Sequence, residues 1–236
     1  MRRLIVALDG LPSLREATSS PEVDLGAASS LAELAGVDAV RLAVNEELKP
    51  VREDDVREVR RAAHRLELRM PPSQGLLKVA LAGRPDRVIL AAEGGAGRAP
   101  AGPLELRGRG VTLEPLIRAL AEAGIPAVAV IAPDIEALKR VHGEGVTAVE
   151  FYTGAIVDLP SAERGAELGR LGDAVRLAAK LHLEIGLGGG LGYRTLPELL
   201  ESCRAAQWVA VGRAAVARAV LVGLDRALRD LRALVS

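Results

Sequence analysis

The chain has 236 residues, 49% of them hydrophobic, with 31 basic and 31 acidic side chains. That length suits one large α/β domain or two small ones, and the zero formal net charge implies no general attraction to nucleic acid or acidic membranes. Aromatics at 2% are too few for a base-stacking platform, and the lone Cys203 excludes an intrachain disulfide and a cysteine-rich metal site, which fits a reducing cytoplasm.

The opening MRRLIVALDG carries an apolar run too short for a signal peptide. It stops at Asp9 and reads as a first strand centred on 3–7. LGAASSLAELAG (25–36) is a helix ending on Gly36, and DAVRLAV (38–44) is a second strand. EDDVREVRRAAHR (53–65) starts with acids and ends with bases, as the helix dipole prefers. RLELRM (65–70) and DRVILAA (86–92) are the third and fourth strands. The loop EGGAGRAPAGPLELRGRG (93–110) follows, of a length common in lids and in disordered segments. EPLIRALAEAG (114–124) and DIEALKRVHGEG (134–145) are helices around the fifth strand, PAVAVIA (126–132). The sixth strand is VTAVEFY (146–152), followed by the helical stretch 161–182, the seventh strand LEIGL (183–187), the eighth strand WVAVG (208–212) and a helical stretch over 214–235. No run is long enough for a transmembrane helix.

Eight strands alternating with helices predict an α/β protein with a parallel sheet. A single-domain (β/α)8 TIM barrel over 1–236 is the natural reading, and an open doubly wound sheet is the alternative.

In such barrels the active site lies at the C-terminal ends of the strands. His64, His142 and His182 each fall late in a helix or just before a strand, which places them on the opposite face. The catalytic face then has neither histidine nor cysteine. It offers Asp9 after strand one, Glu46 and Glu47 after strand two, Arg69 ending strand three and Glu93 ending strand four. Asp134 follows strand five as a helix-start acid, and Arg213 follows strand eight. Glu150 is inside strand six, on the same face as Tyr152. A carboxylate there needs a partner, for which Arg69 and Arg213 are the candidates. It is either half of a structural ion pair or a functional group.

The run IGLGGGLGY (185–193) leaves strand seven with five glycines between Gly186 and Gly192, and VGR leaves strand eight. Phosphate sites in these barrels are often built from those two loops. Glycine lets backbone N–H groups approach phosphate oxygens closely. The expected phosphate site is therefore Gly188, Gly189, Gly190, Gly212 and Arg213, with a tight turn as the plainer reading.

These motifs resemble the pyridoxine 5'-phosphate synthase family of the deoxyxylulose-dependent vitamin B6 pathway, nearly end to end. The resemblance is carried by VALDGLPSLREA (6–17), LAELAGVDAVRLAVNEELKPVREDDV (31–56), AVEFYTG (148–154), GLGGGLGY (186–193) and VGRAAVARAVLVGL (211–224). It implies a (β/α)8 barrel with extra helices, commonly a homo-octamer, in the cytoplasm, needing no organic cofactor and no metal. It implies condensation of 1-deoxy-D-xylulose 5-phosphate with 3-amino-2-oxopropyl phosphate, closing a pyridine ring. Nucleic acid and membranes are not expected as partners. The matching positions are Asp9, Arg15, Glu46, Glu93, Glu150, Thr153, Gly154, Gly188, Gly190, Tyr193, Gly212 and Arg218. Among these, the resemblance implies substrate contacts for Asp9, Arg15, Glu93, Thr153 and Gly154.

The departures are equally specific. Ala7 stands for the family's first-strand Asn, Gly10 for the His after Asp9, and Ala43 for the catalytic His of strand two. Asn45 replaces an Arg, Pro50 a His, Tyr152 the strand-six His, Gly189 the catalytic His of the glycine loop, and Arg213 the strand-eight His. Gly94 and Gly95 replace a basic pair in the lid. The catalytic Glu of strand three aligns with Arg69, with Glu67 as the alternative one layer deeper on the same face. Catalytic candidates are thus Glu150, Arg69 and Glu67. Each general acid–base group is worth ~10²–10⁴ in rate, so the family activity is expected to be absent or at least ~10³-fold reduced, with a catalytically inactive phosphate-ligand-binding or regulatory homologue, or an enzyme with a different phosphosugar reaction, as the alternatives.

Overall fold

The computed structural model describes residues 1–94, 102–106 and 112–235. Eight parallel strands close into a barrel in sequence order, β1 (Arg3–Ala7), β2 (Ala39–Ala43), β3 (Leu66–Met70), β4 (Arg87–Leu90), β5 (Ala127–Ile131), β6 (Ala148–Tyr152), β7 (Glu184–Gly188) and β8 (Trp208–Val211). β8 pairs with β1, with Val6 opposite Val211, so no sheet edge is left and the fold is a (β/α)8 TIM barrel.

Helices α1 (Gly10–Thr18), α2 (Leu25–Leu34), α3 (Glu53–Ala62), α4 (Gln74–Gly83), α5 (Glu114–Glu122) and α6 (Ile135–Gly143) wrap the first half. The short α7 (Gly154–Val157), then α8 (Gly165–Lys180), α9 (Leu196–Ser202), α10 (Arg213–Val222) and α11 (Leu224–Val235) complete the ring. The helical stretch expected over 214–235 is broken at Gly223, whose φ of 82° suits glycine, and α11 folds back against α10, where Arg218 Nε donates to Asp230 Oδ2 at 3.0 Å. Helix starts follow local chemistry. Asp24 accepts from the Ala27 N–H, Ser73 from Gly75 and Leu76, and Asp134 from Glu136 and Ala137, each satisfying N–H groups that a first turn leaves open.

Strand alternation sorts the side chains into two cores. Leu4, Val6, Val40, Leu42, Leu66, Leu68, Val149, Phe151, Val209 and Val211 point outward against the helices. Ile5, Ala39, Ile89, Val128, Val130, Ala148, Trp208 and Ala210 fill the barrel. The long loop after β4 lies partly outside the described residues. Its described part returns to the sheet, where Leu104 N–H donates to Val130 O (2.8 Å), with Leu104 and Leu106 buried. Among the described residues no helix is long and apolar enough to cross a membrane.

Candidate functional site

The barrel interior is charged at its middle layer. Arg41 and Glu67 are side by side across the β2–β3 pairing, because both alternate inward and stand in register. Arg41 Nε and Nη2 donate to Glu67 Oε2 (2.9 and 2.6 Å). The same guanidinium reaches across the barrel to Glu150, with Nη1 to Oε1 at 2.9 Å and Nη2 to Oε2 at 2.7 Å. Glu150 also accepts from Arg69 Nη2 (3.3 Å) and from Trp208 Nε1 (3.1 Å). Its side chain is 1% exposed and that of Arg41 is 0% exposed.

Burial alone would raise the Glu150 carboxyl. The charge and hydrogen bonds of Arg41, then Arg69 and Trp208, more than offset it and hold the group at about 2. Burial likewise opposes the charge on Arg41, and Glu150 and Glu67 together keep it firmly protonated. Arg69 is pushed below the usual arginine value by burial and by Arg41, against the pull of Glu150, Asp9 and Glu67.

Glu150 is therefore an ion-pair partner, and its chief partner is Arg41. Of the two arginines weighed from sequence, Arg69 makes the longer contact and Arg213 makes none, being exposed at the first position of α10. Arg41 was legible as an inward residue two places before Ala43. Position at a strand end does not identify the partner, because the barrel pairs residues across its middle.

The glycines make room for these side chains. A Cβ on Gly186 would lie 2.0 Å from Trp208 Cε2, and one on Gly188 would lie 2.2 Å from Glu150 Oε1. Gly189, at φ 91°, has Tyr152 Cδ2 at 2.5 Å from its Cβ position, and Gly190, at φ 74°, has Val157 Cγ2 at 2.4 Å. The Cβ direction at Gly190 thus points at Val157 of α7. Thr153 clamps the same loop: its N–H donates to Gly188 O (2.7 Å) and its hydroxyl to Gly189 O (2.6 Å). The N–H groups of Gly189 and Gly190 meet no acceptor among the described residues. Gly212 sits against Ala7, its Cβ position 3.2 Å from Ala7 Cβ, and leads directly into α10.

Around the mouth, Asp9 is half-buried just beyond β1, and its Oδ1 accepts the Ala43 N–H at 2.6 Å. Burial raises its carboxyl above the ordinary aspartate value, with Arg69, the Ala43 N–H and Arg41 pulling the other way. Glu46, Glu47 and Glu93 are exposed, and Gly154 is buried under the Tyr152 ring. Arg15 turns from the axis to Asp55, which it grips with both Nη atoms (2.7 and 2.8 Å), tying α1 to α3. Tyr193 donates to Ala227 O (2.8 Å) beneath the Arg218 guanidinium, fastening the glycine loop to α10 and α11. At the other end of the barrel, Arg3 and Arg87 stack on Trp208 and share Glu184. His64, His142 and His182 lie at that N-terminal end, before β3, β6 and β7. No group of three or more metal-ligating side chains occurs among the described residues.

Residues 4–236 match the family described as pyridoxal phosphate biosynthesis protein PdxJ. Pyridoxine 5'-phosphate synthase of Syntrophotalea carbinolica is 34% identical over 100% of this chain and 99% of its own. That of Desulfosudis oleivorans is 34% identical over 100% of both chains. Among solved structures, a 3-hexulose-6-phosphate synthase superposes with a TM-score of 0.63 at 18% identity over 100% of both chains. Thiamine phosphate pyrophosphorylase from Pyrococcus furiosus gives 0.61 at 17% identity, covering 99% of this chain and 95% of its own. At those identities the structural likeness is one of fold.

Proposed function

The chain belongs to the pyridoxal phosphate biosynthesis protein PdxJ family, and from that premise we propose that its barrel mouth binds a phosphorylated small molecule while the family condensation runs at least ~10³-fold below ordinary enzyme rates, or not at all. One observation carries the binding half. The Gly189 and Gly190 N–H groups meet no acceptor among the described residues, and they belong to the loop after β7, next to β8 and the start of α10. Backbone donors with glycine freedom and a helix N-terminus of ten residues favour an anion there. Exposed Arg213 adds a guanidinium to the same rim.

The catalytic half rests on what stands where the family's acid–base groups are expected. Ala43 and Gly189 have no titratable side chain. Arg69 carries a charge opposite to that of the glutamate it replaces. Glu150 has both oxygens filled by four donors and stays ionised to about pH 2, so it has no proton to give. The family reaction on its two substrates, 1-deoxy-D-xylulose 5-phosphate and 3-amino-2-oxopropyl phosphate, needs several proton transfers.

Calorimetric titration with inorganic phosphate and with 1-deoxy-D-xylulose 5-phosphate tests the binding. Arg213→Ala is expected to weaken it by about 1.5–3 kcal/mol, the scale of a hydrogen bond to a charged group. No heat at millimolar ligand would overturn it. Incubation with both family substrates tests the catalytic half, and pyridoxine 5'-phosphate formed at ordinary enzyme rates would overturn that.

A further inference from the structure

The mouth holds one carboxylate that is neither sealed nor solvent-bathed. Glu150 is saturated by its four donors. Glu67 shares the buried Arg41. Asp134 is spent on capping α6, and Glu46, Glu47 and Glu93 stand in water. Asp9 differs from all of them. Its Oδ1 is fixed by the Ala43 N–H at 2.6 Å, and its Oδ2 accepts no hydrogen bond among the described residues. One oxygen is anchored and the other is open at the rim.

Its surroundings suit proton transfer. The charged groups facing Asp9 are Arg69 of β3 and Arg41 of β2, with Glu67 and Glu150 bound to Arg41. Arg15 of its own helix is turned away to Asp55. Arg69 is 12% exposed at the end of β3 and is held to Glu150 by one long contact of 3.3 Å, so it keeps donors for another oxygen. Burial raises the Asp9 carboxyl above the ordinary aspartate value, which makes its carboxylate a stronger base. Ala7 and Ala43 leave the space beside it small and apolar, and Ala7 touches Gly212 at the edge of the proposed phosphate loops. A phosphorylated ketone held by those loops is the substrate class that an adjoining carboxylate and guanidinium suit.

We propose that this barrel enolises a phosphorylated ketone, with Asp9 as the base and Arg69 facing the developing oxyanion. This rests on the phosphate-binding reading above. Asp9 Oδ2 takes the proton from the carbon beside the carbonyl. The C–H electron pair forms a carbon–carbon double bond, and the carbonyl π pair moves onto oxygen beside the Arg69 guanidinium. Return of a proton from the Asp9 carboxylic acid to the same carbon restores the ketone. No σ bond other than C–H is broken, the carbonyl π bond is exchanged for the carbon–carbon one, and no oxidant or second substrate is required.

Deuterium exchange tests this. The protein is incubated in D2O with 1-deoxy-D-xylulose 5-phosphate, and loss of the proton signal at the carbon beside the carbonyl is followed by NMR. Exchange above the buffer rate is expected, rising with pH through the raised Asp9 value and then levelling. Asp9→Asn should lower it by at least ~10²-fold. Its side-chain oxygen still accepts the Ala43 N–H, so the fold is kept, which an unchanged unfolding temperature checks. Arg69→Gln should move the inflection to higher pH, because the Arg69 charge lowers the Asp9 value. Wild-type exchange at the buffer rate, or Asp9→Asn exchanging like wild type, overturns the proposal. Inorganic phosphate binding, titrated in parallel, separates the two readings. Binding without exchange sinks the enolisation alone. Exchange that depends on Asp9 without phosphate binding supports the enolisation and sinks the phosphate site. Failure of both sinks both.

Discussion

Replacing Arg41 by methionine removes the centre of the buried ion cluster. Arg41 is fully buried and donates four hydrogen bonds of 2.6–2.9 Å to Glu67 and Glu150. Methionine fills much of the stem's volume, so the loss is chiefly electrostatic. Two carboxylates would remain in the barrel with only Arg69 and Trp208 in reach of Glu150. Removing one partner of a buried pair costs about 3–5 kcal/mol. Glu150 supplies a second scale, since the gap between its ordinary 4.5 and about 2 corresponds to about 3 kcal/mol. The expected loss near neutral pH is thus about 3–5 kcal/mol, or ~6–20 °C in unfolding temperature for a chain of this size. The pH dependence sharpens the test. In the wild type, Glu150 has a depressed folded value, so its contribution is complete above pH 4.5 and lost as pH falls toward about 2. In the variant burial dominates, the folded value lies above the unfolded one, and the penalty shrinks as acid protonates the group. Urea unfolding at neutral pH and near pH 5 measures both, followed by fluorescence of Trp208, the chain's one tryptophan and a direct partner of Glu150. A loss under ~1 kcal/mol at neutral pH, or an equal loss at the two pH values, would refute the reasoning.

Three further outcomes follow from the same geometry. Gly188→Ala places a Cβ 2.2 Å from Glu150 Oε1 and should cost at least ~1–3 kcal/mol in thermal unfolding, where Gly165→Ala, with open space around its Cβ, should be near neutral. Arg15→Ala breaks the two-bond grip on Asp55 between α1 and α3 and should lower the urea midpoint by an amount equivalent to ~1–3 kcal/mol. Cys203 is buried, and burial pushes its thiol up to about 11, so a thiol reagent at neutral pH should label it only as the protein unfolds.

Much of this architecture is legible in the chain itself. Each of the eight strands lies where a short apolar run was expected, because alternation at period two and flanking helix signals are local properties. Glu67 one layer below Arg69 was legible for the same reason, as was the placing of the three histidines at the N-terminal end. α1, α4 and α9 needed the structure: α1 opens on Gly10 with Pro12 in its first turn, α4 carries Gly75 and Gly83, and α9 is only seven residues long. The break at Gly223 inside a continuous apolar period also needed the structure.

The site divides along the same line. Which residues face inward is a matter of sequence parity, and parity alone puts Arg41, Glu67, Arg69 and Glu150 inside. Which of them meet depends on closure of the barrel, since Arg41 and Glu150 are 109 residues apart and touch only across its axis. The glycine run shows the limit most clearly. Its composition announces close approach and positive φ at Gly189 and Gly190. Only the tertiary structure decides what approaches: the side chains of Trp208, Glu150, Tyr152 and Val157 occupy the volume that Cβ atoms would take, while the two N–H groups meet no acceptor among the described residues. A glycine specifies an absence of side chain, and what fills that absence is set by elements remote in the chain.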